Sequence, residues 1–196
     1  MVNNVGFTHL ATIEEMSDAD AREEFDINVF GTLNVIRNVL PQMRAQGSGH
    51  IFNVSSLGAY NVGPLSGIYC TTKHAVKAIS ETLVQEVKAF GIHVTDVKPG
   101  FMRTEFFGSS YKTTAPDDSP YKHLYDENME FYMGQNGNQA GDPKKVAQLY
   151  IKVAEMNEPY ESLPMGTDCC DCIRDICERT VKLMTEMHSI AETTNF

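Results

Sequence analysis

Several features are missing from this sequence of 196 residues, and each absence removes a class of protein. No cluster of Lys or Arg forms a basic stripe, and the formal net charge is −10, so we expect no nucleic-acid partner. No apolar run approaches the roughly 20 residues that span a bilayer, so we expect no membrane span. The N-terminus has no basic segment followed by an apolar one, which argues against a signal peptide.

Cysteine is scarce and odd in number, with five residues. A chain of this length can build a core without disulfides, so we expect reduced thiols and a cytoplasmic protein. Cys169, Cys170, Cys172 and Cys177 are close in sequence. One helix does not direct four thiolates at one point at this spacing, and cysteine is an ordinary core residue, so we predict no metal site.

A glycine-rich phosphate-binding turn is also missing. Gly134, Gly137 and Gly141 do not follow a predicted strand and lack the required spacing. The stretch 58–63 is followed by Pro64-Leu65, where a P-loop requires Lys and Ser or Thr. Because the sequence contains no repeats and no low-complexity linker, it predicts a single domain over residues 1–196.

Apolar spacing and capping signals predict strands that alternate with helices. This alternation is typical of parallel βαβ units, so the predicted fold is α/β, a Rossmann-like doubly wound parallel sheet with flanking helices. The predicted strands are the tail of a strand within residues 1–6, then 50–55, 92–97 and 162–165; the predicted helices are 18–46, 67–90, 121–133, 143–155 and 168–188.

Polar and glycine-containing turns follow three of the predicted strands. These turns are Asn3 to Gly6, Ser55-Ser56 and Pro99-Gly100. In parallel sheets, ligands bind beyond the carboxyl ends of the strands. The three turns therefore predict one binding site at a shared edge of the sheet.

Tyr69 and Lys73 are four residues apart in the second long helix, so their side chains share one face. An ammonium close to a phenol favours the phenolate, and we expect Lys73 to lower the Tyr69 pKa from about 10 toward the range useful for acid–base catalysis. A solvated Tyr–Lys pair on a helix surface is the alternative interpretation. The spacing alone does not separate the two.

Five motifs occur in an order and at spacings typical of one known family. Ser56 stands 13 residues before Tyr69, and Tyr69 and Lys73 form a Tyr-x-x-x-Lys pair. On these residues the chain resembles the short-chain dehydrogenase/reductases over nearly its entire length. The motifs are Val2-Asn3-Asn4-Val5-Gly6, Asn28, Asn53-Val54-Ser55-Ser56, Tyr69 with Lys73, and Pro99-Gly100-Phe101-Met102-Arg103-Thr104.

The resemblance implies reversible hydride transfer between NAD or NADP and an alcohol or carbonyl. It implies that Tyr69 exchanges the proton, that Lys73 lowers the pKa of Tyr69 and holds the nicotinamide ribose, and that Ser56 hydrogen-bonds the reacting oxygen. Asn28 would hold a water chain for proton exchange, or is simply a polar helix residue. The implied cofactor-binding residues are Asn3, Tyr69, Lys73, Pro99, Gly100, Met102 and Thr104.

The sequence departs from the family at its start, since it begins at the end of what would be the fourth strand. We therefore expect a partial fold without the N-terminal βαβαβ half, as a fragment or a shortened product, with the first strand left as an exposed edge. Two hypotheses follow: an oxidoreductase, or a truncated and inactive homologue that acts as an interaction partner.

Two further expectations concern partners. In the family, the helices at 18–46 and 67–90 commonly form a dimer interface, so we expect a homo-oligomer through them. We expect residues 101–141 to form the substrate-specificity loop over a small alcohol or carbonyl substrate. Within this loop four residues are either a lid or an ordinary apolar stripe, and the sequence leaves both open: Tyr121, Tyr125, Phe131 and Met133.

Overall fold

The computed structural model describes residues 1–108, 110–113 and 115–196. Ser109 and Thr114, which belong to the predicted loop 101–141, lie outside the described residues. Within the described ranges, no helix has both the length and the apolar character to cross a bilayer. The strands and α-helices are β1 (Val2–Asn3), β2 (Thr8–Leu10), α1 (Asp18–Phe25), α2 (Gly31–Gln46), β3 (Gly49–Val54), α3 (Gly67–Val87), β4 (Ile92–Pro99), β5 (Tyr111–Thr113), α4 (Lys122–Gln135), α5 (Pro143–Ala154), β6 (Ser162–Met165) and α6 (Thr167–Glu192).

The first long helical stretch forms over the predicted residues 18–46 but contains a wider turn. Ser17 caps its start by accepting a hydrogen bond from the backbone N–H of Asp20 at 3.1 Å. Between α1 and α2 the chain makes a π-helical turn over Asp26–Phe30. Gly47 ends the stretch with a φ of 68°, a conformation that costs glycine little. The helix is therefore confirmed, and the π-helical turn is an addition that the apolar pattern does not encode.

The main sheet has four parallel strands in the order β1-β3-β4-β6. Alternate residues of β3 face opposite sides, as the period of a strand requires. Ile51 packs in the cluster that contains Leu83 of α3, whereas Phe52 packs in the cluster that contains Val153 of α5. Helices therefore cover both faces, and the predicted α/β architecture is confirmed.

A second, small sheet was not predicted. The three-residue strands β2 and β5 pair in parallel, with Thr8 opposite Tyr111 and Leu10 opposite Thr113. Both strands are too short for a periodic signal, and about 100 residues separate them in the chain. This sheet holds the chain that follows β4, at Tyr111–Thr113, against the chain that follows β1, at Thr8–Leu10.

The predicted convergence of three turns at one sheet edge is confirmed. β1 ends at Asn3, β3 at Val54 and β4 at Pro99, and the three strands run in the same direction. β1 lies at one side of the main sheet, where Val2 is 47% exposed. The turns that follow these strands provide the platform of the site described below.

Candidate active site

The side chain of Lys73 on α3 is almost fully enclosed, with 2% exposure. Its ammonium donates hydrogen bonds to the backbone oxygen of Val54 at 3.0 Å and to that of Val5 at 3.3 Å. Burial lowers the pKa of Lys73 to about 8, although the carboxylates of Asp96 and Glu24 act in the opposite direction. The Tyr–Lys pair is therefore not a solvated surface pair, because its lysine is buried against the ends of the sheet.

Tyr69 lies one helical turn before Lys73, and the Lys73 Nζ atom is 5.7 Å from the centre of the Tyr69 ring. Burial raises the pKa of Tyr69 above its ordinary value, and a hydrogen bond with Ser56 partly offsets this effect. The expectation that Lys73 lowers this pKa is wrong for this structure. The ammonium is directed at the backbone oxygens of Val5 and Val54, and the cost of desolvating a phenolate is the largest influence on the pKa of Tyr69.

Ser56 follows β3 in an extended conformation and begins a short 3₁₀ turn over Leu57–Ala59. Its hydroxyl oxygen accepts a hydrogen bond from the backbone N–H of Gly58 at 3.0 Å. A Cβ atom placed on Gly58 would lie 3.3 Å from Tyr69 Cε1 and 3.4 Å from Ser56 Oγ. The serine hydroxyl and the phenol therefore meet around Gly58, and the structure brings Ser56, Tyr69 and Lys73 together.

Asn28 is fully buried in the π-helical turn and fixes the chain that follows β1. Its side-chain oxygen accepts from the backbone N–H of Phe7 at 3.0 Å, and its Nδ2 donates to the oxygen of Phe7 at 2.8 Å. The same Nδ2 donates to Thr72 Oγ1 at 3.0 Å. Thr72 lies between Tyr69 and Lys73 in sequence, so Asn28 joins the turn after β1 to the helix that carries the pair.

Asn3 lies at the end of β1, and its side chain is directed into a buried polar chain rather than toward Tyr69. Asn3 Nδ2 donates to Asn53 Oδ1 at 2.8 Å, and Asn53 Nδ2 donates to Ser80 Oγ at 3.0 Å. These amides connect two strands with α3. In this structure the Asn3 side chain has a structural role.

The Pro99-to-Thr104 segment leaves β4 beside β6, where Gly100 N–H donates to the Met165 oxygen at 2.9 Å. The Met102 side chain packs on the α5 face of the sheet. The Thr104 hydroxyl accepts from the Phe106 N–H at 3.4 Å and caps a 3₁₀ turn over Glu105–Phe107. This turn brings Phe106 to Tyr69, with ring centres 5.7 Å apart, so the segment reaches the pair through an aromatic ring.

Glu24 is a buried acid that no sequence pattern singles out. It is 0% exposed on α1, one helical turn before Asn28. Burial raises the pKa of Glu24 to about 7, while the backbone N–H of His9, the hydroxyl of Thr8 and the ammonium of Lys73 lower it. No local pattern distinguishes Glu24 from its partly exposed neighbour Glu23, because the burial of Glu24 depends on the packing of β2 and α3.

An aromatic cluster covers the outer side of Tyr69. Phe106 packs edge-to-face on Phe107 at 5.3 Å, and Phe107 stacks on Tyr132 of α4 at 5.3 Å. The sequence left open whether Tyr121, Tyr125, Phe131 and Met133 form a lid or an apolar stripe. Of these four, only Phe131 joins the cluster, while Tyr125 packs in the core with Leu10 and Leu65. The cluster consists of Phe101, Phe106, Phe107, Phe131 and Tyr132.

The space beside Lys73 is compatible with a bound sugar hydroxyl. A Cβ atom on Gly6 would lie 3.6 Å from Lys73 Nζ and 3.6 Å from Phe106 Cε2, so the missing side chain leaves a cradle next to the ammonium. An ammonium has three donors, and backbone oxygens accept two of them among the residues described. The third donor and the cradle fit the ribose end of a nicotinamide nucleotide.

Comparison with protein families and curated proteins gives a consistent result. A family model described as short chain dehydrogenase matches residues 1–115. Oxidoreductase BOA17 of Botryotinia fuckeliana is 34% identical over 171 residues, which are 87% of this chain and 62% of that protein. The uncharacterized oxidoreductase YusZ of Bacillus subtilis is 35% identical over 157 residues, or 79% of this chain and 56% of that protein. An uncharacterized oxidoreductase of Schizosaccharomyces pombe is 33% identical, and the match covers 69% of its length.

Solved structures show the same similarity. A short-chain dehydrogenase from Streptomyces avermitilis superposes with a TM-score of 0.88 at 31% identity, over 99% of this chain and 70% of that one. A gluconate 5-dehydrogenase from Burkholderia cenocepacia, solved with NADP and tartrate, gives a TM-score of 0.54 at 28% identity, over 55% of this chain and 42% of that one. The chain thus spans about 62% and 56% of the length of the first two curated relatives.

The buried carboxyl predicts a specific dependence of stability on pH. In the folded chain Glu24 holds its proton up to about pH 7, whereas its ordinary pKa is 4.5. Its contribution to stability is therefore fully present below about pH 4.5 and is lost as the pH rises through 7. We expect Glu24→Gln to gain thermal stability relative to wild type as the pH increases from 5 to 8.

The measurement is the Tm of both proteins across this pH range. Glu86→Gln, an exposed substitution on α3, serves as the matched control and should follow wild type. A Tm difference between Glu24→Gln and wild type that stays constant with pH would contradict the prediction.

Proposed function

Because the chain belongs to the short-chain dehydrogenase family, we propose that it is an NAD- or NADP-dependent oxidoreductase that interconverts an alcohol and a carbonyl. One observation carries the proposal: Ser56, Tyr69 and the buried Lys73 converge where the strands of a parallel sheet end. Ligands bind at this edge of such sheets. When bound, the nicotinamide supplies or accepts the hydride.

In this proposal Tyr69 is the proton donor for a carbonyl and the acceptor for an alcohol. The hydroxyl of Ser56, which lies near the Tyr69 ring on the other side of Gly58, holds the reacting oxygen by a hydrogen bond. A donor must keep its proton until the carbonyl is in place, and burial of Tyr69 favours the protonated phenol at neutral pH. Because the phenol of the free site holds its proton, this arrangement supports carbonyl reduction as the favoured direction.

Lys73 and Asn28 have different tasks. We propose that the ammonium of Lys73 holds the ribose through its remaining donor, while its two carbonyl contacts fix its position. Asn28 acts as a positioning residue. Its side chain is hydrogen-bonded to Phe7 and Thr72, so it holds the segment after β1 against α3. A water chain would then run past its backbone.

The remaining cofactor contacts come from the ends of β1 and β4. We propose that Asn3 contributes through its backbone, since its amide is engaged with Asn53. The segment after β4 would contact the nicotinamide with its backbone and with the Thr104 hydroxyl. The residues proposed for this role are Pro99, Gly100, Met102 and Thr104.

We also propose that residues 1–196 form a single domain. The five free cysteines agree with a cytoplasmic protein. Exposed Phe30 and Val35, on the 18–46 stretch, provide apolar surface for the proposed association through this stretch and 67–90.

Cofactor binding is tested by filling the cradle beside Lys73. Gly6→Val places methyl groups where the ribose would lie, so we expect the Kd for NADH or NADPH to rise about tenfold or more, given roughly 1.4 kcal/mol for a factor of ten. Gly134→Ala, on α4 with open space around it, is the matched control and should leave the Kd unchanged. Fluorescence titration of both nucleotides measures the Kd, and a folded wild-type chain that binds neither would overturn the proposal.

Turnover is tested at Tyr69. Tyr69→Phe removes the proton carrier without changing the ring, so we expect kcat to fall about 100- to 10,000-fold while nucleotide affinity is retained. Tyr60→Phe is the matched control, because Tyr60 is another partly buried tyrosine with a lysine ammonium, that of Lys77, 5.1 Å from its ring centre. Equal losses in the two variants would show that Tyr69 has no special part in proton transfer.

The aromatic cluster predicts the substrate class. A flat apolar or aromatic carbonyl compound can stack on the rings beside Tyr69, so we expect kcat/KM to be higher for an aryl ketone than for a short aliphatic ketone. Phe106→Ala should reduce this preference roughly two- to tenfold, since a lost aromatic contact is worth roughly 0.5–1.5 kcal/mol. Phe90→Ala, which removes an exposed ring in the 3₁₀ turn after α3, is the control. A Phe106→Ala enzyme with an unchanged ratio would contradict the prediction.

A further inference from the structure

Only the first part of the C-terminal helix α6 packs against the rest of the chain. Its 26 residues extend about 39 Å. Cys169 at its start is fully buried, and Ile173 and Ile176 are partly buried. Every residue from Cys177 onward is exposed, so the second half of α6 extends beyond the domain.

One row of side chains along α6, apolar except for Thr180, follows a heptad pattern. Successive members are separated by four, three, four, three, four and three residues, which is the spacing of the a and d positions in a two-helix coiled coil. In the exposed half this row includes Leu183 at 48%, Met187 at 43% and Ile190 at 61% exposure. The row, called the α6 seam below, consists of Cys169, Ile173, Ile176, Thr180, Leu183, Met187 and Ile190.

The residues beside the seam indicate the direction of the partner helix. One flank, the e positions, is apolar, with Cys170, Cys177, Met184 and Ala191. The other flank, the g positions, includes the charged pair Arg179 and Glu186. Parallel pairing would place the apolar flank against the charged flank, whereas antiparallel pairing places like flanks together. Only the antiparallel arrangement matches apolar residues with apolar residues and arginine with glutamate.

A single antiparallel register pairs the six seam residues from Ile173 to Ile190. Thr180 of one copy lies opposite Leu183 of the other, and the layers on either side pair Ile176 with Met187 and Ile173 with Ile190. In this register Arg179 of one copy and Glu186 of the other differ by about 3 Å along the axis, at 1.5 Å per residue. Symmetry repeats this oppositely charged pair at the other end of the interface.

We propose that α6 pairs with α6 of a second copy of this chain as an antiparallel two-helix coiled coil. The charge of α6 argues against a membrane surface as the occupant, because the helix carries six acidic and three basic side chains, while surface-binding helices are rich in Lys and Arg. This association surface is separate from the stretches 18–46 and 67–90 and does not depend on the proposed catalysis.

The first experiment exchanges the two charges. Arg179→Glu and Glu186→Arg each place like charges opposite one another at both ends of the interface, so each should weaken self-association about tenfold or more. The double variant Arg179→Glu/Glu186→Arg restores two opposite-charge pairs and should return to within about threefold of wild type. Sedimentation equilibrium of the full chain measures the dissociation constants.

The second experiment tests the seam itself. Leu183→Glu should abolish association through α6, whereas Val181→Glu, an exposed change on the same turn but outside the seam, should leave it intact. Circular dichroism at low concentration checks that both variants keep the fold. A monomeric wild-type chain, a dimer insensitive to Leu183→Glu, or a double charge variant as weak as the single ones would each overturn the proposal.

Discussion

The structure depends on the burial of one ammonium group. Lys73 Nζ is held by the backbone oxygens of Val5 and Val54, which follow or end two neighbouring strands of the main sheet. A buried ammonium without hydrogen bonds would be very costly, so these contacts fix how α3 lies on the sheet. Tyr69 is one turn away on the same helix, and its position relative to Ser56 follows from that constraint. The hydrogen bonds that stabilise the fold therefore also orient the proposed proton donor.

The π-helical turn has a comparable double role. A π-helical turn adds a residue to the helix and changes the direction of the side chains in it, and such turns are frequent at functional sites. Here it places Asn28 where its amide bonds both the N–H and the carbonyl of Phe7 and also the hydroxyl of Thr72. A regular helix with the same sequence would direct this side chain elsewhere. The irregular turn thus connects the segment after β1 with α3 and adds to the direct hydrogen bond between Lys73 and the Val5 oxygen.

Much of this arrangement can be predicted from the sequence because its periodicities are local. The Tyr69–Lys73 spacing, the caps at Ser17, Gly47 and Gly91, and the turns after three strands each depend on a few neighbouring residues. Burial is not local. Glu24 and Glu23 are adjacent and chemically identical, but only Glu24 is enclosed, through its contact with β2 and α3. The parallel pairing of β2 with β5 depends on a contact between segments about 100 residues apart, and three-residue strands carry no pattern that could indicate it.

The pKa of Tyr69 shows why a correct motif can still lead to a wrong electrostatic expectation. Spacing predicts that a phenol and an ammonium share a helix face, but it does not predict which groups the ammonium is directed at or how much water reaches the phenol. In this structure desolvation is the largest influence on both residues: it raises the pKa of Tyr69 and lowers that of Lys73, so it favours the neutral form of each. Phe106 contributes to this enclosure, because it lies over Tyr69 and beside the cradle at Gly6. A movement of the Glu105–Phe107 turn away from the site would admit water and shift both pKa values toward their ordinary ranges. The acid–base character of the pair is therefore set by its aromatic cover as much as by the two residues themselves.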